Sequence, residues 1–330
     1  MPAPYPWLSQ TWTRLQDMRR YPPHAVLLAG PRGVGKLELA KGWAQSLLCE
    51  SPRPDGDACG ECEGCHWFAA GTHPDFMHLT LEEKETKDGE VRLATEISVE
   101  QARQAVGFVQ LSTYRAGYRL VLIEPAETLN TASANALLKV LEEPPINTLF
   151  ILVSHQFRQL LPTILSRCHK LEVGLPDKGG LAGWLKENGL DEQALAWVSG
   201  APLAALAARE EGELEIRDEV LSALIDVKNL DGVALAEAWN KQVPARTWQK
   251  LGYKWLLDLL ACRLGGKAGF NPDHAAVLGR LAGRVNVANL LDFIRRESKA
   301  GRWVDHPLNR QMAMEAWLIE YGRIFEGAGK

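Results

Sequence analysis

The sequence contains no apolar run long enough to cross a membrane, and its first residues lack the basic and apolar segments of a signal peptide. It also has no internal repeat and no low-complexity tract, which excludes a repeat architecture. Basic residues are not in excess, because 37 Lys and Arg face 41 Asp and Glu and leave a formal net charge of −4. That balance excludes a nucleic-acid binder that relies on a basic patch alone. We therefore expect a cytoplasmic globular protein which, if it meets DNA, does so weakly or inside a complex.

The overall composition is that of an ordinary globular protein with a sizeable core, since 46% of the residues are hydrophobic and 24% are charged. A length of 330 residues predicts two or three domains. Cysteine is scarce, with six in the chain, but four of them lie between Cys49 and Cys65. In a cytosolic protein such clustering favours a metal site over disulfides.

The central motif is a glycine-rich loop that follows an apolar run at residues 25–29 and precedes a helix-like pattern that ends near Cys49. The motif reads Gly30-Pro31-Arg32-Gly33-Val34-Gly35-Lys36-Leu37. Strand, loop and helix in this order are the context of a phosphate-binding P-loop, whose N–H groups and lysine contact phosphate oxygens. The residues expected at the nucleotide are Gly30, Gly33, Val34, Gly35, Lys36 and Leu37.

One position departs from the P-loop pattern. The motif places Ser or Thr after the lysine to ligate Mg²⁺, and this chain has Leu37. We therefore expect nucleotide to bind weakly or without efficient hydrolysis. From the residues alone, a glycine-rich turn that binds nothing remains the alternative.

The cysteine cluster has the spacing Cys49-x9-Cys59-x2-Cys62-x2-Cys65, with glycines that allow sharp turns between the thiols. Four thiolates suit a closed tetrahedral Zn²⁺ site with no open catalytic position, so a structural zinc knuckle is predicted. Unliganded reduced thiols are the alternative, and His66 could replace one sulfur.

A second apolar run, at residues 120–123, predicts a buried strand that ends in the carboxylate of Glu124. In a P-loop protein we expect this strand beside the P-loop, with its terminal acid helping to hold Mg²⁺. The next residue, Pro125, has no group that can accept a proton. Upstream, the charged run 82–90 predicts a solvated loop or hairpin tip, and Ser98 begins a capping box.

The segment from Asn130 to Pro145 predicts an amphipathic helix stopped by two prolines. As a string it closely resembles the clamp-loader subunits of bacterial DNA polymerase III, which are AAA+ proteins. A predicted strand at 149–153 ends at Ser154, the position called sensor 1 in that family, and Ser166-Arg167-Cys168 matches the family's Ser-Arg-Cys motif. The resemblance covers most of residues 1–210.

The departures from that family indicate which kind of subunit the chain resembles. The family's motor subunit keeps a hydroxyl after the P-loop lysine, an Asp-Glu pair at the acid strand and an arginine in the lid helix. This chain has Leu37, Glu124-Pro125 and, at the lid position, Gly200-Ala201-Pro202-Leu203. The resemblance therefore implies the non-motor stator, which is not an active ATPase alone.

Within this resemblance, Arg167 corresponds to the catalytic arginine finger that one subunit inserts in trans into the ATP site of its neighbour. A planar guanidinium can neutralise charge on a transferring phosphoryl group. Without the resemblance, an ion pair between Arg167 and a carboxylate of its own chain is the simpler interpretation.

The predicted fold is an α/β P-loop domain of AAA+ type with a parallel sheet at residues 1–165, carrying a zinc-binding insert at 49–65. A small helical lid domain (166–208) and an all-helical oligomerisation, or collar, domain (209–330) follow. The resemblance implies clamp-loader motor (tau/gamma) and delta subunits as partners, and the sliding clamp and primed DNA through the complex. Two other hypotheses stay open: an active motor ATPase of the same family, and a zinc-bearing P-loop adaptor outside replication.

Overall fold

The computed structural model describes residues 5–85, 91–114, 117–300 and 310–326. The chain divides into two compact units, residues 1–182 and 183–330. The three-part division expected from the sequence, with boundaries after residues 165 and 208, stays a prediction.

The first unit combines seven described strands with helices. Its elements in chain order are α1 (Ser9–Met18), β1 (Ala25–Ala29), α2 (Lys36–Leu48), α3 (Glu63–Ala69), β2 (Phe76–Leu79), β3 (Glu83–Glu85), β4 (Val91–Leu93), α4 (Val99–Gln110), β5 (Arg119–Ile123), α5 (Thr131–Glu142), β6 (Thr148–Ser154), α6 (Pro162–Leu165) and β7 (His169–Glu172). The division between the units falls inside α7 (Lys178–Glu187).

Five parallel strands form the central sheet of this unit, in the order β2-β5-β6-β1-β7. Strands β1, β5 and β6 are buried along their whole length, as expected for apolar runs covered on both faces by helices. Their predicted positions are confirmed. Because the strands are parallel, their carboxyl ends meet at one edge, which also carries the glycine-rich loop.

The acid-terminated strand lies near the P-loop, as its terminal Glu124 acts electrostatically on Lys36, but it does not pair with the P-loop strand. β1 is bonded to β6 and β7, and the acid-terminated β5 pairs with β6 and β2 instead. Strand β6, seven residues long and fully buried, takes the intervening position, so β5 lies about two strand spacings, or about 10 Å, from β1. The residues at the end of β6 consequently stand between the loop and Glu124.

Local signals in the sequence account for two of the helices. The predicted capping box is present at the start of α4: the Gln101 N–H donates to Ser98 Oγ at 3.2 Å, and the Ser98 N–H donates to Gln101 Oε1 at 2.9 Å. Asn130 caps α5 by accepting the Ser133 N–H at 2.9 Å. Within the charged run 82–90, predicted as a solvated loop or hairpin tip, residues 83–85 form the exposed β3, which pairs antiparallel with β4, and residues 86–90 lie outside the described residues.

In the described residues of the second unit, all regular secondary structure is helical. It contains α8 (Glu192–Trp197), α9 (Pro202–Glu210), α10 (Glu213–Ile225), α11 (Gly232–Gln242), α12 (Ala245–Arg263), α13 (Ala275–Ala282), α14 (Val287–Ala300) and α15 (Arg310–Arg323). Its core is rich in tryptophan, and the Trp255 indole donates to the buried Tyr321 hydroxyl at 2.9 Å. The parallel α/β core followed by a helical C-terminal region is therefore confirmed. Among the described residues, no helix combines the length and apolar character needed to cross a membrane.

Candidate nucleotide and metal sites

The glycine-rich loop leaves β1 and turns tightly into α2. Gly30 donates its N–H to the Ser154 carbonyl at 3.2 Å, and a Cβ added to Gly30 would lie 2.0 Å from the Val173 carbonyl oxygen. Gly33 and Gly35 have φ values of 79° and 94°, a region that favours glycine. The loop therefore requires glycine at these positions to bring its backbone to the N-terminus of α2, where N–H groups can receive an anion.

Lys36 lies inside this loop and is 2% exposed. Its Nζ donates to the carbonyl oxygens of Gly30, at 2.8 Å, and Pro31. Burial lowers the pKa of the Lys36 ammonium to about 8, against the opposing effect of the Glu127 and Glu124 carboxylates. The lysine is thus held where a P-loop presents its cation to phosphate.

Two aromatic residues that the sequence pattern did not single out cover the outside of the loop. The Trp7 indole donates to the Val34 carbonyl at 3.0 Å, and the Tyr5 ring lies 2.7 Å from where a Cβ on Gly35 would be. The rings of Tyr5 and Trp7 are stacked, with centroids 4.9 Å apart. No periodicity marks these two residues, because only Leu8 and the residues after it follow the helical period.

A cavity of about 490 Å³ adjoins Trp7 in the first unit, a size found in small-molecule sites. Its wall includes Arg14 from α1 and the carboxylates of Glu172 and Asp177 at and after β7. Sequence reasoning did not find this cavity, because its lining comes from segments more than 150 residues apart.

The acid at the end of β5 is paired. Glu124 Oε1 lies 3.2 Å from His155 Nε2, and the two side chains are 16% and 14% exposed. The hydrogen bond to His155 lowers the pKa of the Glu124 carboxyl. The backbone N–H of His155 also donates to both carboxylate oxygens of Glu127, at 3.0 and 3.1 Å. The predicted residue Ser154 is buried at this edge, and its Oγ accepts the N–H of the residue two positions on, at 3.2 Å.

The four clustered cysteines converge as predicted. Sγ atoms of Cys49 and Cys62 are 3.8 Å apart, those of Cys59 and Cys65 are 3.9 Å apart, and all four lie within 4.8 Å of one another. A tetrahedral Zn²⁺ with Zn–S bonds of about 2.3 Å has S···S edges of about 3.8 Å, so the residues fit the ion. His66 is not part of the cluster, which among the described residues is the only group of three or more possible metal ligands.

Backbone N–H groups further suit these sulfurs to bind a cation as thiolates. The N–H groups of Glu61 and Cys62 point at Cys59 Sγ at 3.4 and 3.3 Å and lower the pKa of that thiol to about 6. Burial instead raises the pKa of the Cys65 thiol to about 12. A metal ion that binds all four sulfurs would therefore displace a proton from Cys65.

Hydrogen bonds connect the cysteine segment (residues 49–65) to α1, the first helix of the chain. Trp12 Nε1 donates to Asp57 Oδ1 at 3.1 Å, and Gln16 Nε2 donates to the Gly56 carbonyl at 3.3 Å. Arg19 reaches the same carbonyl and also donates to the Ser46 carbonyl at 2.8 Å. Helix α1 thereby links the cysteine segment to α2, the helix of the P-loop.

Arg167, the predicted finger, lies just after α6, and its side chain is 28% exposed. Its guanidinium pairs with the Glu142 carboxylate, and its Nη1 donates to the Thr163 carbonyl at 2.8 Å. The ion pair within the chain, left open by the sequence, is therefore present. A role in trans is not tested by this contact and stays a prediction.

Comparison with known proteins gives matches along most of the chain. A family model described as DNA polymerase III, delta subunit, matches residues 8–176, and one described as the C terminal part of that subunit matches residues 211–322. DNA polymerase III subunit delta' of Pseudomonas aeruginosa is 36% identical, covering 97% of this chain and 98% of the relative. The delta' subunit of Escherichia coli is 32% identical over 87% of this chain and 85% of its own length. DNA polymerase III subunit tau of Escherichia coli is 34% identical over 58% of this chain and 27% of its own length.

Proposed function

The chain belongs to the family of DNA polymerase III delta-prime subunits, and from this membership we propose that it is the non-motor, or stator, subunit of a bacterial sliding-clamp loader. In this role it assembles in the cytoplasm with the motor (tau/gamma) and delta subunits. It supports ATP-driven loading of the sliding clamp onto primed DNA, which it meets through the complex.

The observation that carries the proposal is the state of the chain's own nucleotide site. The loop geometry and Lys36 are kept, but Leu37 supplies no oxygen and Pro125 accepts no proton. Loss of a water-activating base alone costs about 10²–10⁴ in rate. Nucleotide in this pocket is therefore held weakly or left uncut, and ATP hydrolysis is assigned to the motor subunits.

Arg167 is the group that this chain lends to the assembly. The guanidinium is at the surface, its charge is permanent, and it is held by the Glu142 carboxylate, the Thr163 carbonyl group and the Ser166 hydroxyl. On assembly it exchanges Glu142 for the phosphates of a neighbour's ATP. Removal of such a finger costs about 10³–10⁵ in turnover at the site it serves.

The four cysteines hold a structural Zn²⁺ in this proposal. Four sulfurs complete the tetrahedral shell and leave no position for a reacting water. Binding of the ion contributes folding free energy to residues 49–65. Hydrogen bonds between this segment and α1 connect it to the rest of the first unit.

The test is Arg167→Ala in a loader reconstituted with motor and delta subunits, clamp and primed DNA. We expect normal assembly and a fall in DNA-stimulated ATPase and clamp loading. Arg158→Ala, at a nearby exposed arginine, is the matched control and leaves both unchanged. Equal ATPase rates for the Arg167→Ala complex and the wild type would remove the finger role.

A turnover assay on the purified chain separates the stator from an active motor subunit. The retained loop and Lys36, together with the similarity to a tau subunit, favour the motor as the second candidate. Robust hydrolysis by the isolated chain, abolished by Lys36→Ala, would establish the motor and reject the stator. Failure to assemble with motor and delta subunits would instead favour an adaptor outside replication.

A further inference from the structure

We infer that the P-loop of this chain takes a nucleoside di- or triphosphate without a divalent cation, because one Mg²⁺ ligand is missing and the other is engaged by His155. The inference rests on the proposed function, in which this pocket holds nucleotide without cutting it. It adds the form in which the nucleotide is bound.

The first observation is the start of α2. Leu37 follows the P-loop lysine and is half-buried with an aliphatic side chain. Mg²⁺ takes oxygen ligands at about 2.0–2.1 Å in near-octahedral geometry. A leucine offers no such ligand.

The second observation is the pairing of the remaining acid. Glu124 Oε1 is 3.2 Å from His155 Nε2, at the edge where the strand ends meet. The histidine comes from the end of β6, the strand that separates β5 from β1. The imidazole therefore hydrogen-bonds the acid at the position where P-loop proteins hold the metal.

Side chains of the protein surround Glu124. Arg32 on the loop lies close enough to stabilise its charged form, and His78 at the end of β2 is also nearby. Burial lowers the pKa of His78, whose buried Nε2 has no hydrogen-bond partner among the described residues. Both oxygens of Glu127 accept the His155 N–H. One oxygen of Glu124 and both oxygens of Glu127 are thus already hydrogen-bonded within the protein.

With Leu37 at the hydroxyl position and Glu124 Oε1 hydrogen-bonded to His155, this pocket lacks the free protein ligands that Mg²⁺ has in other P-loops. Phosphate charge is balanced here by Lys36, by Arg32 and by the N–H groups at the start of α2.

The experiment is calorimetric titration of the full-length chain with ATPγS, once with excess MgCl₂ and once with excess EDTA. We expect dissociation constants that agree within about twofold, where a metal-dependent P-loop would change by about tenfold or more. Lys36→Ala abolishes binding in both buffers. A tenfold gain from MgCl₂ in the wild type would overturn the inference, and so would the absence of ATPγS binding in both buffers.

A double variant tests the two residues named as the cause. Leu37→Thr with His155→Ala supplies the hydroxyl and frees Glu124, so binding becomes tighter with MgCl₂ than with EDTA. The matched control joins Leu37→Met, which brings no oxygen, to His169→Ala at an exposed histidine on β7, and it stays indifferent to the metal. If the Leu37→Thr, His155→Ala variant also binds ATPγS equally well with MgCl₂ and with EDTA, these roles of Leu37 and His155 are rejected. None of these outcomes bears on the stator function, which the Arg167→Ala complex tests separately.

Discussion

The guanidinium of Arg167 pairs with the carboxylate of Glu142, the last residue of α5. The two side chains are 28% and 49% exposed, and an exposed pair of this kind contributes about 0.2–1 kcal/mol to stability. The contact is therefore strong enough to orient the arginine and weak enough to be exchanged for a phosphate in the proposed finger role.

Glu142→Gln is expected to leave the ATPase of the reconstituted loader at or above the wild-type rate, because it removes a competitor for the guanidinium. The free energy of unfolding should change by less than about 1 kcal/mol, as measured by urea denaturation. Glu143→Gln, at the next exposed acid, is the control. A fall in ATPase as deep as that of Arg167→Ala would mean that Glu142 itself takes part at the neighbour's site.

Asp57 is expected to contribute to stability without contributing to metal binding. It is 2% exposed and accepts the Trp12 indole N–H, so Asp57→Ala leaves a buried donor unpaired at a cost of about 1–3 kcal/mol. Zinc content, measured with a chromophoric chelator after denaturation, should remain one ion per chain for this variant and fall for Cys59→Ser. Glu61→Ala, exposed on the same segment, should change neither quantity. Loss of zinc from the Asp57→Ala variant would show instead that metal binding depends on the Trp12–Asp57 hydrogen bond.

Loss of metal from the cysteine cluster is expected to destabilise the P-loop through helix α1. Its side chains bind the knuckle at residues 56–57, and the residues just before it bind the loop through Trp7 and Val34. Removal of zinc with a strong chelator is expected to speed hydrogen exchange in segments 5–19 and 30–36, while α12 in the second unit keeps its protection. Faster exchange confined to residues 49–65 would mean that zinc stabilises only the cysteine segment.

The parts of this architecture that could be predicted from the sequence are those that short stretches determine. β1 and β5 are continuous apolar runs, the cysteine spacing specifies a tetrahedral cluster, and Ser98 with Gln101 specifies a helix start. The order of strands is different, because no local pattern says that β6 lies between β1 and β5. The sequence therefore predicts an acid strand beside the P-loop, but not which strand separates the two.

The contact between Glu124 and His155 escaped prediction for the same reason, since it joins two strand ends 31 residues apart. The cover formed by Tyr5 and Trp7 also depends on how the chain before α1 folds back over the loop. Long-range geometry decided both features. Each was invisible to periodicity even though the motifs themselves, the loop and the acid strand, were recognised.

Gly30→Ala is expected to destabilise the loop region more than the addition of one methyl group usually does. The new Cβ would lie 2.0 Å from the Val173 backbone oxygen, which cannot move without breaking the pairing of β1 with the segment after β7. Overpacking of this kind costs about 1–3 kcal/mol or more. Gly107→Ala, in α4 with open space around its Cβ, should instead stabilise by about 0.5–1 kcal/mol. Equal unfolding midpoints for the two variants in urea would contradict this difference.

The stability of the second unit should rise with pH above neutrality because of Lys254. Its ammonium lies 3.8 Å from the ring centroid of Trp197, and burial, helped by Lys250, lowers its pKa to about 7 against the opposing Glu213 and Asp258 carboxylates. In the unfolded chain the same group titrates near 10.4, so between about pH 7 and 10 the unfolded state binds more protons and stability increases with pH. Buried Lys36 contributes a rise of the same sign, so the pH dependence of the wild type is compared with that of two variants. Lys254→Met should reduce the rise of stability with pH, and Lys241→Met, at an exposed lysine, should not. Urea unfolding at a series of pH values measures the slope, and identical slopes for wild type and Lys254→Met would show that this lysine keeps an ordinary pKa in the folded chain.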